Sequence, residues 1–168
     1  MLSVVAFAAL CYISQAASKI EASWSFCTGS DATECAYGKF ANISGETFTP
    51  NPPPVGQNFS IIGSGYSMEA IQDPSYEMHI QDGAFVNQVI KEDGCLPYEY
   101  KFPLNDGVLY YNGITCPIAV GPVSIDLTAF IASKAPDGTA TTTLKLYDQP
   151  KQKGNCVLCT VTTLKITG

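Results

Sequence analysis

The sequence predicts an all-β protein, a sandwich of sheets stapled by disulfides, and three observations lead there. Short runs that alternate apolar and polar residues recur along the chain, divided by Gly, Pro, Asn and Asp, which is the pattern of half-buried strands separated by turns. No helical period extends past about three turns, and many short strands at close spacing are the signature of a sandwich. Beyond the first 18 residues the cysteines form an even set, Cys27, Cys35, Cys95, Cys116, Cys156 and Cys159. Such a set in a secreted domain points to three bridges, with fifteen possible connectivities.

Residues 1–18 read as a signal peptide. They contain no Lys or Arg, an apolar run from Val4 to Ile13, and then the small residues of Ser14-Gln15-Ala16-Ala17-Ser18, suited to a signal peptidase. The run is shorter than the roughly 20 apolar residues a membrane span needs, and Cys11 leaves with it. Residues 19–168 are the expected single domain, long enough to bury a substantial core. The net charge is −6 and no Lys or Arg cluster is present, so nucleic acid is not an expected partner and an anionic membrane would not attract the whole molecule. Charged residues make up 14% of the chain and hydrophobic ones 46%, against about 25% charged in typical domains. Apolar surface must therefore go into a core or around a ligand.

The elements follow in order. Trp24-Ser25-Phe26-Cys27 opens the domain, and Thr28 to Glu34 is a polar, Gly-containing turn. Tyr37 to Phe48 is a first strand region with weak alternation. Asn42-Ile43-Ser44 and Asn58-Phe59-Ser60 are glycosylation sequons, so Asn42 and Asn58 face solvent if they are used. Thr49-Pro50-Asn51-Pro52-Pro53-Pro54-Val55-Gly56 cannot be a central strand, because its prolines supply no ladder donors. It reads as a rigid connector, with a polyproline ligand as the alternative. Gln57 to Ile62 is strand-like, and Gly63-Ser64-Gly65 is expected to break it. Tyr66 to Ile71 and Tyr76 to Ile80 are short strands around a turn at Gln72-Asp73-Pro74-Ser75, and Gly83 to Ile90 is another.

Between Cys95 and Cys116 the chain is aromatic and polar, with Tyr98, Tyr100, Phe102, Tyr110 and Tyr111. That suits a rim or membrane-facing loop, or equally a surface hairpin turning at Asn105-Asp106-Gly107. Val123, Ile125 and Leu127 then alternate with Ser124, Asp126 and Thr128, giving one apolar and one wet face. Ala140, Thr142, Leu144 and Leu146 repeat the pattern in what reads as the partner strand, after a turn at Pro136-Asp137-Gly138.

Catalytic chemistry finds little footing. His79 stands alone in Glu77-Met78-His79-Ile80, without a Gly-x-Ser-x-Gly elbow, and reads as structural or solvated. Gly63-Ser64-Gly65 lacks the third glycine and the acidic residue of a nucleotide fingerprint. Cys156-x-x-Cys159 could be a redox motif or half a zinc site. No second pair completes a metal site, however, and pairing with the amino-terminal cysteines is the better reading. Glu92-Asp93 reads as solvated turn charge. No enzyme, cofactor or metal is expected.

The ordered set of Phe26-Cys27, Thr49-Pro50-Asn51-Pro52-Pro53 with Val55-Gly56, Gly94-Cys95, Cys116-Pro117-Ile118, Pro136-Asp137-Gly138 and a near-terminal Cys159 resembles the secreted lipid-recognition, or ML-domain, family. That family includes phosphatidylglycerol/phosphatidylinositol transfer proteins and a lysosomal sterol carrier. The resemblance implies an immunoglobulin-like sandwich of two antiparallel sheets, splayed so that a lipid tail slides between them. It also implies a Cys95 to Cys116 bridge and one from Cys27 or Cys35 to Cys159, with Cys35 and Cys156 as an additional pair.

The expected function is therefore lipid binding and transfer in the secreted or lysosomal/vacuolar lumen. The ligand would be a sterol or a phospholipid such as phosphatidylinositol or phosphatidylglycerol, with transient contact to membranes or a membrane lipid acceptor, and the protein a monomer. Ile62, Phe85, Val89, Val123, Ile125, Leu127, Phe130, Ile131, Leu144 and Leu146 are the expected cavity wall; Ile131 is included because a sterol-carrying member places a pocket residue a few positions before the equivalent proline. Two alternatives stand beside this. One is a lipid-presenting recognition adaptor. The other is a filled-core immunoglobulin-like interaction domain, against which Trp24, the only tryptophan, precedes all six of these cysteines and so breaks the Cys…Trp…Cys order.

Overall fold

The computed structural model describes residues 19–35, 37–83 and 86–167; the leader expected at 1–18 lies outside them, as does Phe85. Ten strands occur among the described residues: β1 (Lys19–Phe26), β2 (Phe40–Thr49), β3 (Asn58–Ser67), β4 (Ser75–Asp82), β5 (Val86–Asp93), β6 (Tyr98–Lys101), β7 (Gly107–Tyr111), β8 (Gly121–Ile131), β9 (Gly138–Tyr147) and β10 (Cys156–Thr167). They form two five-stranded sheets, ordered β1-β10-β9-β4-β5 and β2-β3-β8-β7-β6, with antiparallel neighbours throughout. This is the sandwich that the alternation predicts. β8 displays it most plainly, burying Ile125, Leu127, Ala129 and Ile131 on one parity and leaving Ser124, Asp126 and Thr128 on the other.

Several local expectations need correction. β8 and β9 are not a hairpin pair: β8 belongs to one sheet and β9 to the other, so the Pro136-Asp137-Gly138 segment carries the chain across the gap. Both strands have one apolar face, and facing across a gap satisfies such faces as well as lying side by side does. Gly63-Ser64-Gly65 does not break β3, because its backbone stays paired with β2 and β8 through these residues. Strand pairing ends at Ser67, so Met68 to Pro74 is connection, with Ile71 in an isolated bridge to Ile118 of the β7–β8 connection. The turn expected at Thr28 to Glu34 is a six-residue helix, α1 (Gly29–Glu34). It rests on β9 through Lys145, whose ammonium lies 2.7 Å from Asp31 and 2.8 Å from Glu34. The Cys95–Cys116 segment resolves as a hairpin, β6 pairing with β7, with Leu104 standing out at its tip.

Three disulfides join Cys27 to Cys159, Cys35 to Cys156 and Cys95 to Cys116. The register sets all of them toward one end of the sandwich, where Phe26 meets Thr160 and Ser75 meets both Asp93 and Tyr147. At the opposite end Phe48, Phe59, Ile61, Leu164 and Ile166 close the core, and the proline-rich connector is tied down by Gly56 N–H donating to the Ile131 carbonyl at 2.7 Å. On the β4–β7 side the interior is filled by Tyr76 and Tyr111, ring centres 4.4 Å apart, with the Tyr111 hydroxyl donating to the Gly94 carbonyl at 2.6 Å.

The two amino-to-carboxy staples are nested, closing loops of 132 and 121 residues. Alone, a loop of that length contributes about 5 kcal/mol through the unfolded chain. The inner staple, with the outer one intact, constrains only the short stretches between them, which corresponds to about 3 kcal/mol. Replacing Cys35 and Cys156 together with Ala should therefore lower stability in guanidinium unfolding by the smaller amount. A loss matching the larger one would mean that the two staples act independently.

Candidate functional site: an apolar cavity between the sheets

On the β1–β2 side the interior is not filled. Phe59 and Ile61 of β3 point inward, but the next two positions on that parity are Gly63 and Gly65, which project nothing. Opposite them stand Leu144 and Leu146 from β9 and Leu158 from β10, with Val123, Ile125 and Leu127 from β8 alongside. The resulting cavity measures about 580 Å³ including its open mouth, of which about 40 Å³ can hold the centre of a water-sized sphere. Apart from Glu46, Thr160 and Ser64, the side chains lining it are apolar.

The edge strands β1 and β2 flank this side of the gap, and β2 is irregular there. Its register breaks between Ala41 and Gly45, with Asn42 at φ 50° and Gly45 at φ 88°. The irregularity turns Ile43 toward the cavity while Asn42, in its sequon, is exposed; Asn58 is exposed as well. The Trp24 indole lies on Gly45, where any Cβ would collide with the ring, and meets Phe26 edge-on at 5.4 Å. One residue on, Glu46 reaches from β2 across the gap to β10, where the Thr162 hydroxyl donates to its Oε2 at 2.6 Å.

Of the residues expected at the wall, Val123, Ile125, Leu127, Leu144 and Leu146 line this cavity. Ile62, Val89, Phe130 and Ile131 do not. Ile62 and Phe130 sit on the parity opposite to the buried Ile61 and Ile131, so each turns away from the gap. Val89 is 46% exposed on the edge strand β5, where only Val86 and Ile90 are buried. Ile131 is buried, but in the packed end beside Gly107 rather than at the cavity. Sequence reasoning missed Trp24, Ile43, Gly45, Glu46, Gly63, Gly65, Leu158 and Thr160. The Gly-x-Gly inside an alternating run was the available signal, since a strand glycine marks either a bend or a place where something else must approach. Cys156 and Cys159 each pair with an amino-terminal cysteine, which leaves neither thiol for redox or zinc chemistry. His79 lies on the outer side of the sheet, its Nε2 2.6 Å from Asn87 Oδ1.

The family model described as ML domain matches residues 21–165. The chain belongs to the ML-domain family. Among its curated relatives is a phosphatidylglycerol/phosphatidylinositol transfer protein of Neurospora crassa, 29% identical over 118 residues that cover 67% of this chain and 58% of the relative. A second protein of that name, from Yarrowia lipolytica, is 25% identical over 132 residues, covering 77% of this chain and 63% of the relative. The chain thus spans about three fifths of the length of each.

Glu46 is the chemically distinctive group in the cavity of this ML domain. Burial pushes its carboxyl above the ordinary value of 4.5, and the hydroxyls of Thr162 and Thr160 only partly offset this. The direction follows because an apolar surround disfavours the charged form. A carboxyl whose folded pKa is raised contributes stability that is complete below its unfolded pKa and lost as pH rises through the folded one. Glu46→Gln, neutral at every pH, should therefore gain on the parent protein between pH 4.5 and neutrality. The gap in melting temperature is expected to widen by roughly 2–4 °C for each kcal/mol of that linkage, measured by thermal unfolding across the range. A gap that stays constant with pH would show that Glu46 is ionised at little cost.

Proposed function

We propose that this ML domain binds and transfers a lipid, a sterol or a phospholipid, by taking its hydrocarbon into the cavity between the sheets. The observation that carries the reading is the cavity itself: apolar, open to the surface, and made by glycines where a filled sandwich would place side chains. Family membership and the names of the relatives, both phosphatidylglycerol/phosphatidylinositol transfer proteins, support it. In this reading residues 1–18 direct the chain into the secretory route, the disulfides belong to an oxidising lumen, and the protein acts as a monomer that visits membranes briefly. It performs no covalent chemistry.

The energetics suit a carrier. At about 0.8 kcal/mol per CH₂, a sixteen-carbon chain gains on the order of 12 kcal/mol against water. Leaving a bilayer forfeits a similar amount, so exchange between membrane and protein is nearly balanced. Behind its mouth the cavity has room for about three water-sized spheres, so loading requires the sheets to part. On the β1–β2 side that parting breaks no ladder hydrogen bond, because the two strands are edges of different sheets. Among the contacts that must yield are the Trp24 indole on Gly45 and the Glu46–Thr162 bond.

Gly63 offers a direct test. A Cβ there meets nothing nearer than Glu46 Cγ at 4.0 Å, and a β-branched residue favours a strand. Gly63→Val should fold with unchanged or higher melting temperature, yet transfer labelled phospholipid or sterol between vesicles at least about tenfold more slowly, because its methyl groups occupy the space a tail needs. Solvent extraction and mass spectrometry of the parent protein should meanwhile yield a bound lipid. A parent that extracts empty and moves no label, or a folded valine variant with full transfer, would defeat the proposal.

A further inference from the structure

A cavity meant for hydrocarbon alone has no use for a carboxyl group. Glu46 nevertheless lines this one, projecting from β2 to the facing sheet, and its partners Thr160 and Thr162 are themselves buried in β10 at 7% and 6% exposure. Thr162 donates to Oε2 at 2.6 Å, and Thr160 also reaches the carboxyl. Among the described residues no cation is paired with it; what acts on it is burial and these two hydroxyls. A carboxylate offers about four lone-pair positions, so the Thr162 bond and the neighbouring Thr160 hydroxyl leave acceptor capacity on a group that lines the cavity together with Leu144, Ile125 and Gly63.

Resting on the lipid-carrier reading, we propose that Glu46, Thr160 and Thr162 form a polar seat on the β1–β2 side of the cavity that receives the free hydroxyl of a neutral lipid, whose hydrocarbon lies along the apolar wall. The chemistry of the three groups narrows the ligand. An ionised carboxylate only accepts hydrogen bonds, whereas a protonated one also donates. A hydroxyl both donates and accepts, and so satisfies Glu46 in either state, with the threonine oxygens as further acceptors. A phosphate brought to the seat meets like charge or an unpaired buried anion. An ammonium donates but cannot accept, and its charge is costly to bury unless Glu46 is ionised. An ether accepts but cannot donate, and so fails against the ionised form.

The seat also accounts for how a lipid could be admitted without leaving a polar group stranded. The bond that closes the gap, Thr162 to Glu46, is the bond a hydroxyl can replace. As the sheets part, the incoming group takes the position beside the carboxyl, and Glu46 is never left buried without a donor. A strut built only for stability would show no preference among head groups of equal hydrocarbon length, and that difference separates the two roles.

The experiment uses the full mature chain, stripped of lipid by organic extraction and refolded, titrated with 1-dodecanol, dodecyl methyl ether, dodecylammonium and dodecyl phosphate. Binding is read from the emission of Trp24, the single tryptophan, which borders the cavity. The parent protein should bind dodecanol about tenfold or more tightly than the ether, as expected for one hydrogen bond to a charged or buried carboxyl. Glu46→Leu should bring the two together by strengthening the ether, and Thr162→Val should narrow the preference by severalfold; the valine variant also serves if the leucine variant does not fold. Equal affinity for alcohol and ether in the parent, a preference that survives both substitutions, or tightest binding of the ammonium or the phosphate would each overturn the seat while leaving the carrier reading intact. Failure of all four probes together with absence of vesicle transfer would overturn the carrier reading, and the seat with it.

Discussion

The structure turns on a local shortage of side-chain volume. Two sheets at sandwich spacing normally interdigitate, and on the β4–β7 side they do, with Tyr76 and Tyr111 filling the gap. On the β1–β2 side Gly63 and Gly65 stand where β3 would otherwise send side chains inward, and Gly45 yields its place to the Trp24 ring. The sheets cannot collapse to close the difference locally, because the same strands are held at sandwich spacing by Phe48, Phe59 and Ile61 toward one end and by the disulfide-linked segments toward the other. An unfilled space persists, and at about 24 cal/mol per Å³ the 40 Å³ that a water-sized centre can occupy costs only about 1 kcal/mol. The closed form is thus cheap to keep, while widening it exposes leucines and isoleucines that a hydrocarbon guest would cover.

The placement of the staples has a dynamic consequence. Disulfides stabilise chiefly by restricting the unfolded chain, and here they act on the segments that enter and leave the sheets: Cys27 just after β1, Cys35 just before β2, Cys95 between β5 and β6, Cys116 ahead of β8. No bridge joins β1 directly to β2. The fold therefore gains stability from covalent links gathered at one end of the sandwich, and none of them crosses between β1 and β2 themselves. Among the contacts that span that edge are an indole on a glycine and a carboxyl–hydroxyl bond, contacts of the strength that thermal motion can exchange.

Much of this was legible in the residues. Alternation in β8 named Val123, Ile125 and Leu127 as one apolar face, and the same reasoning reached Leu144 and Leu146, because period two is a local property and each strand is long enough to show it. Which face of one strand meets which face of another is not local. That is why β8 and β9 were read as neighbours when they oppose each other across the gap, whereas Ile62 and Phe130 lie on the parity opposite to the apolar alternation of their own strands. A one-residue change of parity moves a side chain through the sheet, and the polar Ser60 already sets Ile61, with Phe59, on the parity opposite to Ile62. Ile131 failed for a different reason, since it has the right parity but lies too far along β8. Glu46 escaped notice because a glutamate in a weakly alternating strand looks solvated, although it shares its parity with the buried Phe40 and Phe48.

The position of Glu46 bears on how tight such a cavity ought to be. A purely apolar pocket discriminates among hydrocarbons only by size and shape, where one methylene amounts to about 0.8 kcal/mol, so guests of similar bulk compete almost equally. One buried acceptor changes the comparison, because a guest that leaves it unpaired loses a desolvation penalty of roughly 1–3 kcal/mol that a matching guest avoids. Selectivity of that kind comes by weakening the wrong partners, with no added grip on the right one. A carrier of the kind proposed needs discrimination without excess affinity, and a partly desolvated carboxyl already bonded to Thr162 would supply it: a guest's hydroxyl would exchange for a bond already made, so the net gain would be small for a matching lipid and the loss larger for one that leaves the carboxyl unpaired.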